Sequence, residues 1–383
     1  MRLLHTSDWH LGRSFHREGL LAAQSAYIDH LVEVVRSERV DAVLVSGDVY
    51  DRALPPVDAV ELANDALQRL IATGTRVVIS SGNHDSAQRL GFAADLIDAA
   101  GVHLRTDPRR LSRPVVIEDA HGSVEVYAVP YLEPDLVRAD LGVEQRSHQA
   151  VLGAALDQVR DQVGRSGCRS VVMAHAFVTG ATASASERDI SVGGVAGVGL
   201  DTFDGVTYTA LGHLHGRHTL SESVRYSGSP LAYSFSEARH HKGSWLVDLD
   251  SEGLAEVQFV AAPVPRPLAV VRGTLDDLLS DPRWTDVETS WIQATLTDAR
   301  RPRDSMERLR TRFPHCLVIA FEPESGPGGE MMPIRDRLVG RSDTAILESF
   351  FVDSRGSAPD EDEAALLQEA CDACRIAEDE AAS

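Results

Sequence analysis

Five short strings in this sequence carry carboxylates, an amide and imidazoles at spacings that could hold metal ions: Asp8-Trp9-His10, Gly47-Asp48, Gly82-Asn83-His84-Asp85, His175 and Gly212-His213-Leu214-His215. Asp8, His10, Asp48, Asn83, His175, His213 and His215 offer more oxygen and nitrogen donors than one small divalent ion needs. One carboxylate shared as a bridge would give each of two ions a set of protein ligands and leave positions for water and a phosphate oxygen. Two ions about 3.5–4 Å apart are the usual device for in-line attack on a phosphoryl centre. Imidazoles mixed with carboxylates favour Mn, Fe, Co or Zn over Mg or Ca, which prefer all-oxygen shells. Manganese is the better fit where phosphate must bind and leave. A polar residue beside such a centre would act as the general acid, and the residues leave open whether that is His84, Asp85 or His10. In an extended chain, alternation puts Asp8 and His10 on one side, and His213 and His215 likewise.

These strings sit at the ends of apolar runs. Arg2–Thr6, Asp41–Ser46 and Arg76–Ser80 read as strands, separated by helical patterns over Leu20–Val35 and Val57–Ala72. That βαβαβ rhythm implies parallel strands with covering helices. Val124–Pro130, Ser170–Ala174, Val206–Leu211, Val224–Tyr226 and Ser244–Leu249 follow at closer spacing, which predicts a second, more antiparallel sheet packed on the first. Open α/β sheets build their sites at the C-terminal edge of the strands. Any one string alone is an ordinary strand-end turn. All five in order, each after an apolar run, point to one centre.

The proline-rich Ala262–Pro267 reads as a linker. Beyond it, strands at Leu268–Val271, Trp291–Leu296 and Cys316–Phe321 with helices near Leu275–Leu279 and Ser305–Phe313 predict a small α/β domain. The domains expected are 1–265, 266–340 and an acidic tail, 341–383. From Asp343 to the last residue there are twelve Asp and Glu against Arg355 and Arg375. The chain has 383 residues, 43% hydrophobic and 25% charged, and four cysteines. That composition excludes collagen-like, disordered and disulfide-stapled classes. No apolar run approaches the roughly 20 residues of a membrane span, so a cytosolic protein is expected. The formal net charge of −21 argues against a free-standing electrostatic DNA binder, although bound cations could supply positive charge locally.

The order Asp-x-His, Gly-Asp, Gly-Asn-His-Asp, His, Gly-His-x-His resembles that of the calcineurin-like metallophosphoesterases. The strings Leu4–Gly12, Ser46–Asp51 and Tyr226–Pro230 narrow the likeness to the nucleases of the SbcD family. Motif-level resemblance covers residues 1 to about 240. It implies an α/β fold: a two-layer β-sandwich core flanked by helices, a small α/β capping domain and a C-terminal helical tail. It also implies that Asp8, His10 and His215 hold one metal ion and Asn83, His175 and His213 the other, with Asp48 bridging. His84 would be the non-ligand catalytic histidine, and Asp85 would orient it. Archaeal and eukaryotic relatives place a second histidine three residues after the bridging Asp; here Asp51 stands there, so that histidine's duties do not transfer.

The activity implied is manganese-dependent hydrolysis of DNA phosphodiesters: 3′→5′ double-strand exonuclease action and endonucleolytic opening of hairpins, in DNA repair and recombination. The partners implied are DNA ends and hairpins and an SbcC-type ABC ATPase with a coiled coil, with a homodimer of this chain inside a heterotetramer and no membrane. ATP hydrolysis would belong to that partner, since no Walker A pattern occurs. A stand-alone phosphoesterase acting on a small nucleotide or phosphoprotein is the alternative, and it leaves the capping domain and tail unexplained. Arg13, Arg89 and Arg188 could meet phosphates, although surface arginine is the more common explanation for such residues. The segment 181–194 reads as a loop that could close over DNA or as an inert surface loop. Leu366, Leu367, Ala370, Cys371 and Cys374 form an apolar stripe on the last helix, a docking face rather than half of a zinc site.

Overall fold

The computed structural model describes residues 1–191, 197–324, 341–355 and 358–381. It comprises two units, Met1–Val270 with Thr289–Ile292, and Val271–Glu288 with Gln293–Ser383. Residues 325–340 of the expected capping domain, and 192–194 of the loop after His175, lie outside the described residues.

The first unit is built on two six-stranded sheets. One runs in the order Leu254–Ala261, Gly243–Leu249, Arg2–Thr6, Ala42–Ser46, Arg76–Ser80, Val102–Arg105. The other runs His218–Thr219, Val224–Tyr226, Tyr208–Gly212, Arg169–His175, Gly122–Ala128, Val115–Asp119. Leu3, Ala42, Leu44 and Val78 of the first pack against Val126, Val171, Met173, Tyr208 and Ala210 of the second. Strands buried on both faces read as unbroken apolar runs, and each buried Leu or Val side chain contributes roughly 1.5–3 kcal/mol. The helices Leu21–Glu38 and Val57–Ile71 cover the outside of the first sheet, and His148–Ser166 covers the second.

The expected antiparallel character of the second sheet is not found. Arg169–His175 runs parallel to both Gly122–Ala128 and Tyr208–Gly212, and the latter runs parallel to Val224–Tyr226. Only its two outer pairs are antiparallel. Parallel neighbours need a crossover, and the helix His148–Ser166 supplies the one between Gly122–Ala128 and Arg169–His175. That helix starts at Ser147, whose side chain accepts the Ala150 N–H, buries Val151, Leu152, Ala155, Leu156 and Val159, and stops at Gly167 in the left-handed region.

The second unit carries strands of a three-stranded sheet in the order Leu268–Gly273, Trp291–Leu296, Cys316–Phe321. The helices Leu275–Ser280 and Ser305–Arg312 bury Leu275, Leu278 and Leu309. The helices Asp343–Arg355 and Glu361–Ala381 pack on one another, with the Thr344 hydroxyl donating to Gln368 at 2.9 Å. The apolar stripe of the last helix divides: Cys371 is buried, whereas Leu366, Ala370 and Cys374 are exposed. Residues 366, 370 and 374 share a helical face offset from that of 367 and 371. Among the described residues no helix is long and apolar enough to cross a membrane.

Candidate metal centre

All five strings lie at the C-terminal ends of neighbouring parallel strands, three in one sheet and two in the other. Hydrogen bonds between the sheets fix them there. His5, fully buried, bridges to the Tyr208 hydroxyl and the Leu211 carbonyl at 3.0 Å each, and Ser46 Oγ donates to the Ala210 carbonyl at 2.9 Å. The backbones pass so closely that a Cβ on Gly212 would lie 1.8 Å from the Ser46 carbonyl oxygen.

The residues do not reach the centre by extended alternation. Asp8, His10 and Asp48 have φ of 54°, 45° and 52°, and His213 has φ of 103°. Left-handed conformations are uncommon outside glycine and concentrate at functional sites, where surrounding contacts hold them. Here the loops are laced by backbone bonds, Asp8 N–H to the Gly47 carbonyl at 3.1 Å and His10 N–H to the Asp48 carbonyl at 3.0 Å. Asp8 and His10 thus approach one point through two tight turns.

All seven predicted ligands converge. Asp8, His10 and His215 have donor atoms within 4.8 Å of one another, and so do Asp8, Asp48 and His175. Asp48 stands between the groups: one carboxylate oxygen is 3.6 Å from His10 Nε2 and 3.4 Å from His175 Nε2, and the other accepts the His84 N–H at 2.8 Å. Asn83 Oδ1 faces His175 Nε2 at 2.9 Å and His213 Nδ1 at 3.3 Å. His175 Nδ1 donates to the Ser46 carbonyl at 3.0 Å, which fixes the ring so that Nε2 points toward the centre.

The electrostatics fit cations. Burial pushes the Asp8 carboxyl up to about 6, and among the described residues no Lys or Arg pairs with it. Burial would also raise Asp48, but His175, His10 and His84 outweigh it and hold Asp48 well below the usual carboxylate range. Burial works to lower His175, yet Asp48 and Asp8 lift it to about 9. Burial lowers His213 to about 3. His10 Nε2 and His215 Nε2 stand 3.0 Å apart, a pairing of two imidazole nitrogens that a shared cation between them and Asp8 would satisfy. The donor set and the desolvation cost on Asp8 both fit divalent metal ions.

His84 sits beside the ligands, its ring 4.6 Å from that of His10. Asp85 does not orient it. The Asp85 carboxylate accepts the N–H groups of Val49 at 3.1 Å, Tyr50 at 3.0 Å and Gly82 at 2.9 Å, so it ties the two ligand loops together. His84 Nδ1 donates instead to the Asp51 carbonyl at 2.8 Å, leaving Nε2 for a substrate. The Asp51 carboxylate lies 3.8 Å from His10 Nδ1 and 3.5 Å from Arg13.

Of the three arginines, Arg13 donates to the Ser186 carbonyl at 3.0 Å and lies over the Tyr233 ring. Arg188 donates to the Asn83 carbonyl at 3.2 Å, beside the ligands, and Arg89 to the Ala53 carbonyl at 3.0 Å. Residues that the sequence does not single out surround His215: Ser186, Glu187, Glu237 and Lys242. They come from two segments with no motif spacing, and only the nearby Tyr226–Pro230 string hints at the second.

Residues 1–139 match the calcineurin-like phosphoesterase family, and residues 264–354 match the family described as the type 5 capsule protein repressor C-terminal domain. The chain is 28% identical over 324 residues to the SbcD subunit of nuclease SbcCD from Staphylococcus saprophyticus, covering 83% of this chain and 84% of that protein. It is 26% identical over 323 residues to the protein of the same name from Staphylococcus epidermidis, covering 84% and 85%. Among solved structures, a dimetal phosphatase from Danio rerio is similar at 14% identity with a TM-score of 0.41, over 69% of this chain and 99% of that one.

Proposed function

We propose that this chain, whose residues 1–139 match the calcineurin-like phosphoesterases and which is similar to SbcD subunits of nuclease SbcCD, is the two-metal nuclease subunit of an SbcCD-type complex, cutting DNA phosphodiesters in repair and recombination. The observation that carries this reading is the convergence of Asp8, His10, Asp48, Asn83, His175, His213 and His215 around one point, with His84 beside them. Asp8, His10 and His215 would hold one ion, Asn83, His175 and His213 the other, and Asp48 both. Two bound ions, manganese in this reading because phosphate must bind and leave, would supply charge to the phosphodiester and a nucleophile at neutral pH.

The protein's own groups do the rest. In its doubly protonated form, which an anionic phosphate beside it favours, His84 meets the scissile phosphate through Nε2–H and passes that proton to the leaving oxygen, while the Asp51 carbonyl holds its Nδ1–H and so its ring direction. Asp85 keeps the Asp48 and Asn83 loops in register through their N–H groups. Arg188, docked on the Asn83 carbonyl beside the ligands, would offer its remaining N–H groups to a phosphate.

The partner is an SbcC-type coiled-coil ATPase, engaged by the acidic C-terminal helices, whose exposed Leu366 and Phe350 offer apolar contacts. Exposed Leu54, Val57, Phe92 and Leu96 support self-association of this chain into the homodimer of a heterotetramer. The domains 1–265, 266–340 and 341–383 and a cytoplasmic location belong to the same reading. The test is cleavage of a hairpin-ended duplex in Mn2+ by wild type and His84→Ser, with and without the ATPase. Cleavage by wild type, lost by about 10²–10⁴-fold in the variant with its metal retained, is expected. Turnover of a small phosphodiester without any DNA cleavage would favour the stand-alone phosphoesterase.

A further inference from the structure

His215 is unlike the other imidazoles of the centre in what holds it. His175 is fixed by a backbone carbonyl. His215 Nδ1 donates to Ser186 Oγ, Ser186 Oγ donates to Glu237, and Glu237 takes an ammonium proton of Lys242 through its other oxygen. Lys242 Nζ turns back to donate to the His215 carbonyl at 2.7 Å and to Ser229 Oγ at 2.9 Å. Glu187 closes the ring by accepting the His215 N–H at 2.7 Å. Glu237 and Lys242 are 1% and 7% exposed, so the pair is held away from water.

A buried ion pair is costly to assemble and gives little net stability compared with apolar packing. Its retention here calls for something that apolar residues would not do. We propose that Lys242, Glu237 and Ser186 are positioning residues that fix the tautomer and ring direction of His215, and so set the affinity of the metal half that it shares with Asp8 and His10. This rests on the two-metal reading above. The direction of the chain decides the chemistry. With Nδ1–H committed to Ser186, Nε2 must carry the lone pair, and it faces His10 Nε2 at 3.0 Å. A carboxylate behind the hydroxyl raises the basicity of the imidazole, as carboxylate partners of metal-bound histidines do. Glu237 is paired with the Lys242 ammonium, whereas Glu187 meets the His215 N–H and the Ser184 hydroxyl, so the two carboxylates leave excess negative charge behind the ligand, which favours a cation in front of it.

The same relay carries the loop after His175 to the metal. Ser186 donates to Glu237 and Ser184 to Glu187 at 2.6 Å, the Ala185 N–H is accepted by Ser236 at 3.0 Å, and Arg13 holds the Ser186 carbonyl. The loop and the metal half of His215 are thus mechanically one piece. The other half, on Asn83, His175 and His213, meets that loop through Arg188 on the Asn83 carbonyl and has no hydrogen bond to Glu237.

The test is calorimetric titration of the metal-free full-length chain with Mn2+, with circular dichroism to check folding. Wild type binds two ions if the two-metal reading holds; failure to bind two overturns that reading rather than the relay. Ser186→Ala, which leaves the Glu237–Lys242 pair intact, is expected to weaken one of the two ions by about 10–100-fold and leave the other unchanged. Ser186→Thr, which keeps a hydroxyl, is expected to restore it. Glu237→Gln should weaken the same ion, and where that variant fails to fold, Ser186→Ala decides the matter. Unchanged binding of both ions in Ser186→Ala, or equal weakening of both, overturns the proposal.

Discussion

Where the strands of the sandwich begin, carboxylates face guanidinium groups. Arg169 donates to both oxygens of Asp119, at 3.0 and 2.6 Å, and Arg2 to both oxygens of Asp248 at 2.8 Å and to Glu38 at 2.9 Å. Where the same strands end, Asp8 and Asp48 face imidazoles, hydroxyls and backbone N–H groups. The first end is satisfied by the chain itself. The second is complete only with cations added, and burial leaves the Asp8 carboxyl at about 6 in the protein alone. One end therefore serves stability, and the other carries an electrostatic cost that function requires.

Substitutions at the two ends should separate activity from stability. The largest effect is expected for Asp48→Asn, which touches both metal halves: DNA cleavage in Mn2+ should fall by at least about a thousandfold, read as initial rates on a hairpin-ended duplex. Asp8→Asn should also cost about a hundredfold or more in rate. Its metal-free form, however, should melt at a temperature no lower than metal-free wild type, because the buried charge is gone. A clear loss of melting temperature there would erase the distinction between the ends.

At the other end the pattern reverses. Asp119→Asn should lower unfolding free energy by about 1–2 kcal/mol in urea titrations, the scale of a charged hydrogen bond at a partly exposed site, and leave the cleavage rate within about twofold. The Arg169 hydrogen bonds hold the Asp119 carboxyl well below the usual carboxylate range. A depressed carboxyl stabilises the fold above its unfolded pKa of about 4 and loses that contribution as pH falls through the folded value. Wild type and Asp119→Asn should thus differ in stability at pH 7 and converge below pH 4. A gap that widens on acidification would contradict the pairing.

How much of this the sequence discloses depends on the kind of signal. The five strand-end strings are legible because each couples an apolar run to a polar donor, and the apolar runs match the strands to within two residues at Arg2–Thr6, Ala42–Ser46, Arg76–Ser80 and Arg169–His175. The edge strands Val115–Asp119 and Leu254–Ala261 escape such a reading, since half-exposed edges dilute the apolar pattern, and Val102–Arg105 escapes it because a four-residue strand is too short to show one. The helix His148–Ser166 escapes it too, and with it the parallel order of the second sheet. Its polar outer face hides a buried stripe spaced by three and four residues. At the site, residue types name the ligands but not the route. The left-handed turns at Asp8, His10 and Asp48 are set by bonds to other loops, which no local spacing records. For the same reason, Asp85 looks like a partner of His84 in sequence and is a clamp between loops in space. Glu237 and Lys242 are brought to His215 only by tertiary packing.

The central claim is that the strand-end charges await two divalent ions shared through Asp48. The most direct measurement is the manganese content per chain after equilibration and desalting, by elemental analysis, for wild type and Asp48→Asn. About two ions in wild type and fewer than one in the variant are predicted. One ion or none in wild type, or a content unchanged by Asp48→Asn, would contradict it.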